Sequence, residues 1–505
     1  MQAGTIGWFA RHESRLAWRD WLSMMTAGKR ERWRLAAVAL VLFAAFMHLV
    51  AYGMVARYAD TATLDRTTLV TVTGCLMLMF LLMVSQAMES VTRAFYSRSD
   101  LDLILSSPVA ARRLFVVRIA TIAVTIVAMA GLLASPFINV LAVLGGPRWL
   151  SAYGVVGGMG ALAAVLALAL TVAMFRLLGP KRTRLIAQVI AAVIGAGFII
   201  GLQVAAIQSY GTLSRIAILQ SDAIVSHAPD IGNLIYLPAR AVLGDLHALA
   251  LVLAASLTAL VISIIAFSSR FGDHAAAAAG VTTTGARQKR NAGFRVFSAR
   301  RTLRHKEWRL LLRDPWLVSQ SLIQLLYLLP PALMLWKSFA SGTGASLLLV
   351  PVFVMGAGQL AGGLAWLAIS GEDAPDLVAT APVPPDWVLR AKIEAVLGAI
   401  AFVFAPFIAA MALISPTDAL IAAIGIAAAG VAATAIQLWF RAQAKRSHFR
   451  RRQISSRVAT FAEAFVSIGL AATAGLAAGG TWFALATGAI TLAILGGARL
   501  LAPRG

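Results

Sequence analysis

The chain contains little of what soluble enzymes depend on. Its single cysteine, Cys75, excludes an intramolecular disulfide and a cysteine metal cluster. Only 13% of its 505 residues are charged, roughly half the share of a soluble domain. The one Gly-Lys pair, Gly28-Lys29, is followed by Arg30, so no P-loop sequence for ATP binding occurs.

Catalytic sequence patterns are also missing. The seven histidines are scattered, and His12-Glu13 lacks the second histidine of a His-Glu-x-x-His zinc site. No Gly-x-Ser-x-Gly sequence is present for a nucleophilic serine. The sequence therefore predicts no catalytic, cofactor-binding or metal-binding residue in this chain.

Long apolar runs are abundant instead. The chain is 60% hydrophobic with a mean hydropathy of +0.81. About 20 apolar residues let an α-helix cross the hydrocarbon core of a bilayer. Twelve runs meet this length, at about Arg34 to Ala56, Leu69 to Met88, Leu114 to Leu144, Leu150 to Phe175, Leu185 to Ile207, Leu246 to Phe267, Leu317 to Leu335, Leu347 to Ile369, Ile393 to Ile414, Ala419 to Phe440, Val458 to Gly475 and Gly479 to Leu495. An all-α polytopic membrane protein is predicted, and its first span is expected to direct insertion, because the first 33 residues are polar and basic.

The net charge of +23 follows from membrane topology rather than from nucleic-acid binding. With twelve spans and both termini inside, only six of the 44 basic residues face outward. They are Arg57, Arg66, Arg148, Arg215, Arg240 and Lys337. Because loops on the cytoplasmic side are enriched in Lys and Arg, we expect a bacterial-type cytoplasmic membrane protein with both termini in the cytoplasm.

The two halves of the chain share landmarks in the same order. The matched positions are Glu13 and Glu307, Asp102 and Asp376, Pro108 and Pro382, Arg118 and Lys392, Pro136 and Pro406, and Phe175 and Phe440. Such self-similarity indicates a duplicated unit. We predict two tandem six-helix halves, residues 1–290 and 291–505, with a basic linker after about residue 268.

An amphipathic stretch precedes the first span of each half. In the first, residues 8–28, Trp18 and Trp21 share an apolar face. In the second, residues 302–314, Trp308 shares a face with Leu311, whereas Arg309 belongs to the charged side. Both are predicted to be elbow helices lying in the membrane interface. A generic interfacial lead-in is the alternative.

Acidic residues, otherwise scarce on the basic inner side, precede a proline in the loops after the second and eighth spans. The first loop carries Asp100, Asp102, Leu103 and Pro108, followed by Arg112, Arg113 and Arg118. The second carries Glu372, Asp373, Asp376, Leu377 and Pro382, followed by Lys392. Because the pattern occurs twice, we interpret both loops as docking surfaces for another protein. The alternative is a solvated loop with a proline turn.

These features resemble the permeases of type-2 ATP-binding-cassette (ABC) exporters. That family has an elbow helix, two spans, a coupling segment of the form Asp/Glu-Leu-x4-Pro, a basic residue at the start of the third span, and four more spans. The resemblance implies two fused permease halves that serve two copies of a separate ATPase subunit, which bind ATP and Mg²⁺. Pro375, Pro384 and Pro385 depart from the pattern, and Asp386 occupies the position of Arg112. Coupling at the two sites is therefore expected to be unequal.

Few ionisable groups fall inside the predicted spans. Glu463, His48 and Glu89 are candidates for a translocation path, because charged groups in a membrane usually face a bundle interior or a wet cavity. Gln437 is predicted to make an interhelical hydrogen bond, and Gly358 with Gly362 a close helix contact. The apolar lining suits an amphipathic or lipid-like substrate. An ion-coupled secondary transporter, or a membrane enzyme or scaffold, remains open as an alternative function.

Overall fold

Helices account for all regular structure in the described part of the chain. The computed structural model describes residues 5–26, 33–59, 65–96, 111–210, 219–268, 298–313, 326, 328–334, 346–370, 377–378, 380–440 and 457–502. Within these ranges no β-strand occurs, and eleven helices are long and apolar enough to cross a membrane. The predicted seventh span, Leu317 to Leu335, lies mostly outside the described residues. The chain is thus an all-α polytopic membrane protein of about twelve helices, as predicted.

The chain divides into two compact units, Met1–Ala286 and Arg287–Gly505. The helices of the first unit are α1 (Ile6–Thr26), α2 (Trp33–Val55), α3 (Arg66–Tyr96), α4 (Ala111–Gly145), α5 (Ser151–Tyr210), α6 (Asp222–His227), α7 (Leu237–Val242) and α8 (Leu246–Ser268). Those of the second unit are α9 (Ala299–Arg313), α10 (Ser346–Ser370), α11 (Pro385–Ala412), α12 (Pro416–Phe440), α13 (Arg457–Ala478) and α14 (Phe483–Leu501).

The 60-residue helix α5 contains two of the predicted spans. Its regular geometry is interrupted at Gly179, where φ is 72° and ψ is 165°. Glycine adopts this region readily because it has no Cβ. The following residue, Pro180, has no N–H to continue a helical ladder. The interruption separates the apolar stretches Pro147–Gly179 and Leu185–Ala205.

The two units share an order of helix packing. In the first unit α3 packs most extensively against α5, and in the second α10 packs most extensively against α12. Helices α1 and α9, the predicted elbow helices, pack against α4 and α11, respectively. Those landmarks of the sequence repeat that lie on described helices thus occupy equivalent helices in the two units. Each unit also has an aromatic contact in its interior, such as the edge-to-face pair of Phe95 and Phe175 at 5.2 Å.

Both α4 and α11 contain an internal proline, Pro136 and Pro406. Proline cannot donate to the carbonyl four residues earlier, so that oxygen loses its helical partner. In α4 the hydroxyl of Ser135 donates to this same oxygen, on Leu132, over 2.9 Å. Ala405 holds the matching position in α11 and has no hydroxyl.

The segment before α8 folds back onto the helices of the first unit. Helix α7 packs against α3, α5 and α8. Tyr236 and Ala239 are buried beside Leu69 and Val70 of α3. This burial explains why a polar stretch of the sequence carries a short apolar helix.

Asp245 fixes the junction of α7 and α8. It accepts the backbone N–H of Ala248 at 3.0 Å and pairs with Arg240 at 2.7 Å. The Ala248 hydrogen bond is the main cause that lowers the pKa of Asp245, and Arg240 adds to it. A lowered pKa in the folded state stabilises the protein at neutral pH, and this contribution is lost as the pH falls through the folded pKa.

We therefore expect Asp245→Ala to lower the unfolding temperature at pH 7, with a loss of about 1 kcal/mol, the typical value of a helix N-cap. The difference from wild type should shrink as the pH falls below the ordinary aspartate pKa of about 3.9 and through the lower pKa of folded Asp245. Thermal unfolding in detergent at pH 7 and at about pH 2.5 measures it. Asp230→Ala is the control, because Asp230 pairs with Arg66 at an exposed position. A pH-independent difference for Asp245→Ala would contradict this prediction.

Candidate functional site

Helix α9 lies alongside the beginning of α11, and Arg300, Glu307 and Trp308, which contact α11, share one face of α9. The guanidinium of Arg300 lies over the ring of Trp387 at 4.4 Å. Two turns further, Trp308 fills the space beside Gly398, where a Cβ would lie 3.3 Å from the indole ring. Contacts advance along both helices in the same direction. The two helices therefore run parallel over about three turns.

A buried ion pair forms the centre of this contact. Glu307 is 0% exposed, and its two carboxylate oxygens lie 3.1 and 3.2 Å from the Lys392 ammonium nitrogen. Lys306, the neighbour of Glu307, lies 3.5 Å from the same carboxylate. A buried charge is tolerated when it is paired and hydrogen-bonded. The pair therefore ties α9, the predicted elbow helix, to α11.

The same lysine reaches a third helix. The ammonium group of Lys392 also donates to the carbonyl oxygen of Ala368, in the last turn of α10. A cation in this position interacts favourably with the carbonyl end of the helix. The predicted acidic-proline loop, residues 371–384, connects α10 to α11. Glu307, Lys392 and Ala368 thus fix both ends of that loop relative to the elbow helix.

A second ion pair lies on the accessible side of the same interface. Arg304 donates to both carboxylate oxygens of Glu394, with Nη2 at 3.0 Å from Oε1. Both side chains are about half exposed, so solvent screens this pair. The carboxylate raises the pKa of the Arg304 guanidinium above its usual value. We call the Glu307, Lys392 and Ala368 contact, together with Arg304 and Glu394, the elbow clamp.

The elbow tryptophans have different surroundings in the two units. Trp308, predicted to lie in the membrane interface, packs against α11 and keeps 38% of its surface exposed. Trp18 of α1 is 62% exposed. Arg309, the other predicted elbow residue of this helix, is exposed. The side chain of Trp21 lies outside the described residues, although its backbone belongs to α1.

The first unit does not repeat the buried pair. Its equivalents of Glu307 and Lys392 are Glu13 and Arg118, which lie on α1 and α4. Both are half-buried, and within the described part of the chain they form no ion pair with each other. Helix α1 nevertheless packs against α4 as α9 packs against α11. The units therefore share the contact between helices but differ in the ion pair within it.

The structure describes only part of the predicted docking loops. Leu377 and Pro382 are exposed, and Leu377 is 73% exposed. Helix α4 begins at Ala111, so the backbones of Arg112 and Arg113 are helical, but their side chains lie outside the description. The remaining predicted loop residues lie outside the described residues; they are Asp100, Asp102, Leu103, Pro108, Glu372, Asp373 and Asp376.

Glu463, a candidate for the translocation path, makes a polar contact between three helices. Gln437 of α12 donates to Glu463 of α13 over 2.5 Å, which confirms the predicted interhelical bond. A Cβ at Gly362 of α10 would overlap the Glu463 carboxyl group, and one at Gly358 would overlap the Ser467 hydroxyl. The two glycines thus permit the predicted close packing. They also make room for the polar side chains of α13.

The other two candidates lie in the first unit. His48 of α2 hydrogen-bonds to Asn139 of α4, a contact that sequence reasoning missed. Glu89 is half-buried near the end of α3. The three candidates are thus not brought together within one unit, because Glu463 belongs to the second.

Comparison with known proteins adds no family name to this description. No protein-family model, curated protein or solved structure matches the chain. What the fold establishes is a multi-pass helical membrane protein with a buried ion pair between α9 and α11 in its second unit.

Proposed function

We propose that this chain is the transmembrane permease subunit of an ATP-driven ABC exporter. Separate nucleotide-binding subunits, in two copies, would bind ATP and Mg²⁺ and dock on the two acidic-proline loops. We place the protein in a bacterial-type cytoplasmic membrane with both termini in the cytoplasm. An amphipathic or lipid-like molecule is the proposed cargo.

The elbow clamp is the observation that supports this proposal most directly. A docking loop can transmit the movement of a bound ATPase subunit only if the ends of the loop are attached to helices that move with it. Lys392 binds both the end of α10 and the buried Glu307 of α9. A force on residues 371–384 would therefore reach three helices of the second unit. Rigid-body movements of this kind are a common route to two-state switching.

The difference between the contacts of α1 and α9 supports unequal coupling at the two docking loops. The ion pair holds α9 to α11, whereas α1 packs on α4 without one within the described residues. Closure of the ATPase pair would then act on a clamped helix in one unit and on a less constrained helix in the other. ATP binding would bias the equilibrium between two conformations through its preference for one of them.

Docking is tested by reversing the charge of both loops. We expect Asp102→Lys combined with Asp376→Lys to reduce co-purification of the ATPase subunits at least tenfold, because like charges then face each other. Quantitative mass spectrometry of tagged chain purified from its native membrane measures this. Asp230→Lys is the matched control, since Asp230 is 98% exposed on the loop before α7. Undiminished ATPase recovery from the double variant would rule out docking at these loops.

An ion-coupled secondary transporter is the second candidate. The favouring observation is Glu463, a carboxylate within a predicted span that is held by Gln437. Reconstitution of the chain alone separates the two functions. Solute uptake driven by an ion gradient, without any ATPase, would favour this second candidate. Transport that requires added ATPase subunits and ATP would favour the exporter.

A further inference from the structure

Two arginines of the first unit lie where α2 and α4 end. Arg57 belongs to the 3₁₀ turn that follows α2, and Arg148 belongs to the 3₁₀ turn that leads from α4 into α5. Three apolar spans begin or end at these turns; they are Leu40–Tyr58, Phe115–Gly145 and Pro147–Gly179. Because the ends of such spans mark the edge of the hydrocarbon core, both arginines belong at the level of the lipid headgroups.

A single carbonyl group joins the two turns. The oxygen of Ala59, which caps the first turn, accepts from Nη2 of Arg148 at 3.1 Å and from the indole N–H of Trp149 at 3.3 Å. Gly145 permits this approach, because a Cβ at that position would overlap the same oxygen. The guanidinium of Arg148 is therefore fixed beside the turn that carries Arg57.

Both guanidinium groups also lie against aromatic rings. Cζ of Arg57 is 4.8 Å from the centre of the Tyr58 ring, and Cζ of Arg148 is 5.7 Å from the centre of the Trp149 ring. Tryptophan and tyrosine are enriched at the headgroup level of membranes. A ring orients a guanidinium through its face and leaves the N–H groups at the edge free to donate.

Neither guanidinium forms an ion pair within the described part of the chain. Arg66 and Arg240, the other arginines described on this predicted outer side, each pair with an aspartate. Nε of Arg148 is buried, and no described group accepts its hydrogen. Asp60, which follows the first turn, lies outside the described residues. Two positive charges and several donors therefore remain for a ligand.

We propose that Arg57 and Arg148 bind the phosphate group of an anionic phospholipid such as phosphatidylglycerol. A phosphodiester supplies both the negative charge and the acceptor oxygens that guanidinium groups bind well. The ligand is a lipid because apolar side chains beside the site are open to acyl chains: Val143 and Leu144 of α4 are 83% and 44% exposed. The site does not depend on the proposed transport activity.

A fluorescent label beside the site measures which lipid binds there. A bimane group is attached to Val143→Cys in a Cys75→Ala background, and the full chain is reconstituted in mixed phosphatidylglycerol–phosphatidylcholine vesicles. One of the two lipids is brominated, so that it quenches the label when it is bound nearby. We expect phosphatidylglycerol to bind about fivefold more strongly than phosphatidylcholine, because each basic residue near the surface attracts anionic lipid. Equal binding of the two lipids would overturn the proposal.

Substitution of the arginines tests whether they cause this preference. Arg57→Gln combined with Arg148→Gln should reduce it to less than about twofold. Arg57→Gln alone should reduce it in part, and this exposed position decides the matter if loss of the Arg148 bond to Ala59 prevents folding. Arg66→Gln is the matched control and should leave the preference unchanged, because Arg66 pairs with Asp230. A preference that survives both arginine variants would refute the site.

Excess inorganic phosphate distinguishes a lipid from a soluble anion. The quenching is measured with phosphate and with chloride at the same ionic strength, so that screening of charges is equal in both samples. We expect the lipid preference to persist in phosphate, because burial of the acyl chains also holds the lipid in place. Loss of the preference in phosphate but not in chloride would show that the site takes a soluble phosphate and would overturn the assignment to a lipid.

Discussion

Glu307→Gln is expected to lower the apparent unfolding temperature of the protein in detergent by roughly 6–20 °C. The substitution keeps the shape of the side chain but removes the carboxylate charge that faces the ammonium group of Lys392, and Lys392 is itself only 13% exposed. Removing one partner of a buried ion pair typically costs about 3–5 kcal/mol. One kcal/mol corresponds to about 2–4 °C for a unit of this size.

Two further variants test whether the lower unfolding temperature comes from breaking a buried ion pair or from removing a charge in general. Glu307→Gln combined with Lys392→Met should recover at least half of the loss, because replacing both charges with neutral groups removes the unpaired ion. Glu394→Gln on α11 is the matched control. It breaks the half-exposed pair with Arg304 and should change the unfolding temperature by less than about 2 °C. Equal losses for Glu307→Gln and Glu394→Gln would show that burial of the pair is not what stabilises the elbow clamp.

Gly362→Ala is expected to cause the second large loss of stability. The new methyl group would overlap the carboxyl group of Glu463, which must then leave its contact with Gln437. Overpacking of this kind costs about 1–3 kcal/mol. This loss exceeds the gain in helix propensity, which favours alanine over glycine by about 1 kcal/mol. Thermal unfolding in detergent is the measurement.

Gly356→Ala on the same helix is the control for the propensity gain. Its Cβ would meet its nearest neighbours, Leu328 and Phe404, at 3.7 Å, an ordinary contact distance. We expect no loss of stability there. Adding Glu463→Ala to Gly362→Ala should restore stability, because it removes the group that clashes. If Glu463→Ala gave no recovery, the contact between Gly362 and Glu463 would not be the cause.

The spans could be predicted from the sequence because a bilayer imposes one length and one composition on every helix that crosses it. Helical structure before the first span of each half was also predictable from the amphipathic pattern, and helices occur at Ile6–Thr26 and Ala299–Arg313. Their position in the membrane interface stays a prediction. The sequence did not predict what covers the apolar faces of these two helices. Lipid and a neighbouring helix are equally apolar, so the amphipathic pattern does not show that Trp308 packs on Gly398.

The contacts of the candidate sites were less predictable for a different reason. Glu307 and Lys392 were both landmarks of the repeat, yet nothing in their spacing pairs residues on different helices. His48 was singled out as an ionisable group in a span, but Asn139 and Tyr153 carry no pattern of their own. Only the packing of α2, α4 and α5 brings them within hydrogen-bonding distance. The sequence repeat indicates which positions of the two halves correspond, but it does not identify which side chains contact each other.

The internal prolines bear on how each unit deforms. In α4 the hydroxyl of Ser135 donates to the oxygen that Pro136 leaves without a helical partner, so this carbonyl keeps a hydrogen bond beside the proline. Ala405 offers no such donor beside Pro406 of α11. A displacement applied at the elbow clamp enters α11 about four turns before Pro406. We expect such a displacement to bend α11 at Pro406, because sharp bends in helices occur at proline.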